Sequence, residues 1–132
     1  MRRHGAKALI ETREKRMAAS NGTTTTDQPF YRIDRFVVPE AARAEFIGRV
    51  RMTHEVLRKQ PGFVQDMLVE HPAGPGAFDV ITIVEWSDAS ATEGARAAVA
   101  AMYARDNFDA QELIRRLGIK ADFGRYQPLS ET

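Results

Sequence analysis

Three observations predict an α+β fold in which one antiparallel sheet carries its helices on a single face. Phe78 to Trp86, FDVITIVEW, is apolar on both sides: Val80, Thr82, Val84 and Trp86 point one way, and Ile81 and Ile83 the other. A strand that reads as almost continuously apolar is covered on both faces, which makes this one central. The segments around it run in the order strand, helix, strand, strand, helix, short helix, strand, the split βαβ arrangement called ferredoxin-like. Finally, 132 residues suffice for one core and not for two.

The elements follow in order. Residues 1–28 hold an excess of Lys and Arg, then serine, asparagine, glycine and threonines from Ser20 to Thr26. Such a segment has little to bury and reads as a mobile tail, with a docked helix or basic arm as the alternative; the domain proper spans residues 29–132. Phe30 to Val38, FYRIDRFVV, is rich in β-branched and aromatic residues and is closed by Pro39, giving the first strand. Glu40 to Gln60 repeats apolar residues at helical spacing, with Ala42, Phe46, Val50, Thr53 and Leu57 on one stripe and Ile47 and His54 on its flank. Pro61-Gly62 ends that helix. Phe63 to His71 is the second strand, with Phe63, Met67 and Val69 on one face and Val64 and Leu68 on the other, and Pro72 to Ala77 forms the hairpin into the central strand.

Beyond Trp86, Ser90 with Glu93 has the spacing of a capping box, and Ala91, Ala95, Ala98, Val99 and Met102 form a helical stripe. Asp109 with Glu112 repeats the signature before a shorter helix that stops at Gly118. Ile119 to Tyr126 is the last strand. With every helix on one side, the opposite face of the sheet leaves Ile81, Ile83, Val64 and Leu68 wet. Each large apolar side chain so exposed forgoes about 1.5–3 kcal/mol of burial, so a sheet-to-sheet homodimer is expected.

Composition removes several function classes. The formal charge of +1 gives no argument for nucleic acid or an anionic membrane. Without cysteine there are no disulfides, thiolate zinc sites or thiol nucleophiles. No apolar run approaches the roughly 20 residues that span a bilayer, and no hydrophobic signal core follows Arg2-Arg3, so a cytoplasmic protein is expected. Neither GxSxG nor a phosphate-binding glycine loop opening a helix is present, and the basic outer side of the first helix is explained by solvation.

Four segments resemble the antibiotic biosynthesis monooxygenase family of dimeric α+β barrels: RFVVPEAARAEFIGRV at Arg35–Val50, LRKQPGF at Leu57–Phe63, IVEWSD at Ile83–Asp88 and LGIKADFGRYQPL at Leu117–Leu129. The resemblance covers Phe30 to Leu129 and implies the dimeric barrel. The family includes cofactor-free oxygenases, haem degraders and proteins with no known activity. Its haem-degrading branch uses an asparagine in the first strand and a tryptophan in the second helix, with an axial histidine nearby. This chain has Asp34 at the first position and neither Trp nor His in residues 91–108, so haem ligation by that route is not expected. Trp86 matches the family's tryptophan at the end of the third strand.

The cofactor-free oxygenase branch implies oxidation of a phenolic, hydroquinone or polyketide-like small molecule with no cofactor and no metal. The protein must bind an aromatic body and create or stabilise its anion. His54 is the first candidate base, because it sits at the edge of the inward stripe and imidazole titrates near neutrality; the bland alternative is a hydrogen-bonded histidine at a core boundary. Asp34 is the second candidate, with structural pairing to Arg32 or Arg35 as its alternative. Small side chains on the second helix leave room for a pocket walled by Phe36, Trp86, Met102 and Tyr103, with Asn107 and Tyr103 as donors to a quinone oxygen. Close helix-to-sheet packing is the competing account of those alanines. The alternative function is a non-catalytic dimer that binds a hydrophobic small molecule.

Overall fold

The computed structural model describes residues 28–74 and 78–130. The expected tail, apart from Gln28, and residues 75–77 of the hairpin lie outside the described residues. Strand β1 (Phe30–Val37) leads through a 3-10 turn (Glu40–Ala42) into helix α1 (Arg43–Leu57). Strands β2 (Phe63–Glu70) and β3 (Val80–Trp86) follow, then helices α2 (Ala91–Arg105) and α3 (Ala110–Leu117) and strand β4 (Lys120–Tyr126). The sheet order is β2-β3-β1-β4, all neighbours antiparallel, so the fold is α+β and ferredoxin-like with β1 and β3 central.

Register assigns the faces. Phe30, Arg32, Asp34 and Phe36 of β1 lie opposite Trp86, Val84, Thr82 and Val80 of β3, and this face meets the helices. Two apolar clusters fill the space between. One joins Phe36, Val38, Phe46 and Val80 to Leu113 and Ile119, and the other joins Phe30, Val84 and Trp86 to Ala95. Ile33, Ile81 and Ile83 point the other way.

Strand β2 departs from simple alternation. Phe63 pairs with Trp86, but Gln65 pairs with Glu85, so Val64 is an extra residue and the register shifts there. Beyond this β-bulge, Asp66 and Leu68 face the helices beside Val84 and Thr82, and Met67 and Val69 face outward beside Ile83 and Ile81. The expected grouping of Phe63 with Met67 and Val69, and of Leu68 on the outer face, is thereby corrected: one inserted residue exchanges the two faces of everything after it.

The ends of the elements also differ in detail. Ser90 makes no side-chain cap to α2. Asp88 supplies it instead, with Oδ1 accepting from the Ala91 N–H at 3.2 Å and from the Ser90 hydroxyl at 2.5 Å. Asp109 does cap α3, accepting from the N–H groups of Gln111 and Glu112, and Gly118 closes that helix at φ 71. Glu112 pairs with Arg115 rather than reaching back to the cap. Gly62 sits at φ +87, and a Cβ there would lie 2.5 Å from Ala91 Cβ, so the turn from α1 into β2 demands glycine twice over.

The expected start of the central strand at Phe78 is moved to Val80 by a buried polar clasp. Asp79 is fully buried; its carboxylate accepts from the Val38 N–H at 3.0 Å and from Arg43 Nη1 at 2.6 Å, and Arg43 also binds Glu70. The clasp ties the end of β1 and the start of α1 to the β2–β3 hairpin. Burial pushes the Asp79 carboxyl up, but the Val38 N–H and Arg43 outweigh it and hold the group below the usual carboxylate range.

Candidate active site

Between the sheet and the helices lie two cavities that meet at a polar waist. The first has a volume of about 160 Å³ and is walled by aromatic and aliphatic groups from β1, α1, α2, α3 and the α2–α3 connection, among them Phe36, Phe46, Tyr103, Phe108 and Leu113. The second, of about 250 Å³, lies against Trp86, Val84, Leu57, Ala95 and Val99. Asp34, Thr53, His54 and Thr82 border both. The strands set Asp34 and Thr82 side by side in register, and α1 brings Thr53 and His54 down onto them.

His54 is buried, and its Nδ1 lies 2.8 Å from Asp66 Oδ2. The same carboxylate accepts from Arg58, Nε to Oδ1 at 3.2 Å and Nη2 to Oδ2 at 3.0 Å. Burial pushes the Asp66 carboxyl up, yet the hydrogen bonds from Arg58 and His54 offset this and hold it below the usual range. An ionised carboxylate has no proton to give, so the proton of the short contact belongs to His54 Nδ1. In the neutral ring Nε2 is then the basic nitrogen, and among the described residues it has no hydrogen-bond partner. A histidine with one nitrogen held by a buried carboxylate and the other unengaged at a cavity wall is the geometry a general base requires.

Asp34 behaves differently. Burial raises its pKa above the ordinary value, against the lowering influence of Arg32, whose Nη2 contacts both carboxylate oxygens at 3.1 and 3.2 Å. It is the more easily protonated acid of the site. Across the first cavity the Tyr103 hydroxyl and Thr53 Oγ1 are 2.8 Å apart, and the Tyr103 ring meets Phe108 edge-on at 4.8 Å. The Arg49 guanidinium lies 3.8 Å over the Phe108 ring.

Of the residues singled out in the sequence, His54 and Asp34 come together at the waist, Phe36 and Tyr103 wall the first cavity, and Trp86 walls the second. Met102 is buried in α2 and borders neither cavity. Asn107 is exposed at the end of α2 with φ 53, a conformation asparagine tolerates; it reverses the chain so that Phe108 folds back on Tyr103. Sequence reasoning missed Asp66 and Arg58. The signal for Asp66 was an acid in the middle of a strand, and Arg58 belonged to the basic outer side of the first helix. Among the described residues no group of three or more His, Cys, Asp or Glu is placed to hold a metal, and no helix is long and apolar enough to cross a membrane.

Fold and site together define a ferredoxin-like domain with a two-lobed internal cleft and a histidine–aspartate pair at its waist. In fold the chain is similar to SnoaB, a cofactor-independent oxygenase from Streptomyces nogalater, at 22% identity and a TM-score of 0.59 over 78% of this chain and 95% of that one. A dimeric ferredoxin-like protein from an uncultured marine organism matches at 14% identity and a TM-score of 0.56, covering 80% and 99%. Rv0793 from Mycobacterium tuberculosis matches at 15% identity and a TM-score of 0.55, covering 78% and 97%. No family model and no curated protein matches the sequence.

Proposed function

We propose that the chain is a cofactor-independent monooxygenase of the antibiotic biosynthesis type, acting on a phenolic, hydroquinone or polyketide-like molecule in the cleft. The observation that carries this reading is the His54–Asp66 pair, which leaves a basic Nε2 at the wall shared by two aromatic-lined cavities. An engineered cavity of about 150 Å³ holds a benzene ring, so the first lobe is the size of one ring and the second is larger.

His54 Nε2 takes the phenolic proton, and the resulting anion is electron-rich enough to pass an electron to dioxygen. Recombination at a ring carbon forms a C–O bond and a peroxide anion, which accepts the proton back from His54 and becomes the hydroperoxide. Loss of water then leaves a quinone: one oxygen atom ends as the new carbonyl, the other in water, and the substrate has supplied all four electrons. Asp34 stands at the same wall with its carboxylate engaged by Arg32, and burial raises its pKa against that guanidinium's lowering influence.

The proposed assembly is a homodimer through the outer sheet face. Ile33, Ile81, Ile83, Met67 and Val69 point there, and Val69 and Tyr126 are 41% and 47% exposed in the single chain. The fold similarity to a dimeric ferredoxin-like protein supports the same reading.

The test is oxygen uptake with 1-naphthol, with oxygen-18 incorporation into 1,4-naphthoquinone read by mass spectrometry. Wild-type protein is expected to incorporate one labelled atom and His54→Ala to lose at least about 100-fold in rate. Equal rates would remove His54 from the chemistry. The apolar lining of the first cavity favours one competitor, a non-catalytic dimer that binds a hydrophobic small molecule. Binding of 1-naphthol without uptake would select it.

A further inference from the structure

The second cavity is unlike the first in its charge. Arg32 and Arg96 border it, against the single carboxylate of Asp34. Arg32 stands on the helix-facing side of β1 directly opposite Arg125 of β4, a like-charged cross-strand pair beside which Asp34 supplies one negative charge for two guanidinium groups. Its Nη2 is engaged by Asp34, whereas its Nε–H is buried and has no acceptor among the described residues. A buried donor without an acceptor is costly in a folded protein and calls for an explanation. Arg96, exposed on α2 across the cavity, makes no ion pair with any described residue.

These features have a common account. We infer that the second lobe receives a carboxylate, so that the substrate is an aromatic acid whose charged end lies between Arg32 and Arg96 and whose ring reaches the His54 waist. Two guanidinium groups less one carboxylate leave a single positive charge, which matches a monoanion better than a dianionic phosphate. The remaining wall, Trp86, Val84, Leu57 and Val99, is the apolar surface that the body of such an acid needs. Guanidinium is the side chain best suited to the task, because its planar fork matches a carboxylate.

The inference rests on the cleft being the substrate site, and it is tested by binding rather than turnover. The full chain is titrated calorimetrically at neutral pH, without oxygen, with 2,5-dihydroxybenzoate and separately with its methyl ester. The acid is expected to bind about tenfold more tightly than the ester, the worth of one charge-assisted contact. Arg96→Gln, on an exposed helical position that tolerates change, is expected to abolish most of that preference and leave the ester unaffected. Arg32→Lys keeps the charge beside Asp34 and loses the Nε–H, and is expected to weaken the acid selectively. Equal affinities, a preference for the ester, no binding of either compound, or a preference insensitive to both substitutions would overturn the inference. Selective acid binding in a protein that takes up no oxygen would uphold it while refuting the oxygenase reading; turnover of 1-naphthol with no acid preference would do the reverse.

Discussion

Removing the Asp66 carboxylate should change both the stability of the domain and the tautomer of His54, and the two effects can be read separately. Asp66 and His54 are 8% and 5% exposed, so their bond is between buried partners, whereas the Arg58 side chain keeps 49% of its surface in water. A hydrogen bond to a buried charged group contributes about 1.5–3 kcal/mol, and a half-exposed ion pair about 0–1 kcal/mol. Asp66→Ala is therefore expected to cost about 2–3 kcal/mol, or roughly 10–20 °C in melting temperature for a domain of this size. In the wild-type protein at alkaline pH, where imidazole is neutral, long-range proton–nitrogen spectra should show His54 with its proton on Nδ1. In Asp66→Ala the proton should move to Nε2, with oxygen uptake falling by about 100-fold or more. His71 provides an internal control: its Nδ1 accepts from the Ala73 N–H at 3.0 Å, so its neutral ring must carry the proton on Nε2. A wild-type His54 protonated on Nε2, or a tautomer unmoved by Asp66→Ala, would refute the assignment of His54 as a base poised by Asp66.

The other expectations concern the frame around the site. Arg43→Met strands the fully buried Asp79 carboxylate and should cost about 3 kcal/mol or more by denaturant unfolding; a loss under 1 kcal/mol would mean the clasp is solvated. Gly62→Ala combines a left-handed backbone with a 2.5 Å clash against Ala91, for an expected loss of about 2 kcal/mol or more, and an unchanged denaturation midpoint would contradict the turn geometry. Ile83→Lys, on the outer face, should give folded monomer by sedimentation where the wild type sediments as a dimer. Asp66 and Asp79 have folded pKa values below the unfolded value of 3.8, so their contribution is complete above that pH and is lost as pH falls through the folded values. Asp34 is shifted the other way, so its ionisation weakens the fold as pH rises from 3.8 through its raised folded value, and Asp34→Asn should cost less than Asp66→Ala at neutral pH.

The architecture was legible because it is written in periodicity. A strand apolar on both sides had to be central, and β3 is; a helical stripe through Phe46, Val50 and Thr53, with His54 on its flank, had to face the sheet, and it does. The caps were legible only where a side chain acts on its own helix: Asp109 caps α3, but at α2 the carboxylate comes from Asp88, two residues before the expected Ser90. Half of the site followed from the same patterns, which brought His54 and Asp34 to one place, but its orienting carboxylate did not.

The reason lies in the bulge. Alternation counted from Phe63, which packs edge-on against Trp86 at 5.8 Å, would put Gln65 and Met67 beneath the helices and send Asp66 out to the opposite face with Val64 and Leu68. The inserted Val64 reverses that assignment, turning Asp66 inward to His54 and Arg58 and turning Met67 and Val69 outward to extend the apolar face formed by Ile81 and Ile83. One extra residue thus serves both the chemistry proposed for the cleft and the surface proposed for the dimer. Deleting Val64 should damage both together: a chain that kept its His54–Asp66 contact without the bulge would show that the register shift is incidental to the site.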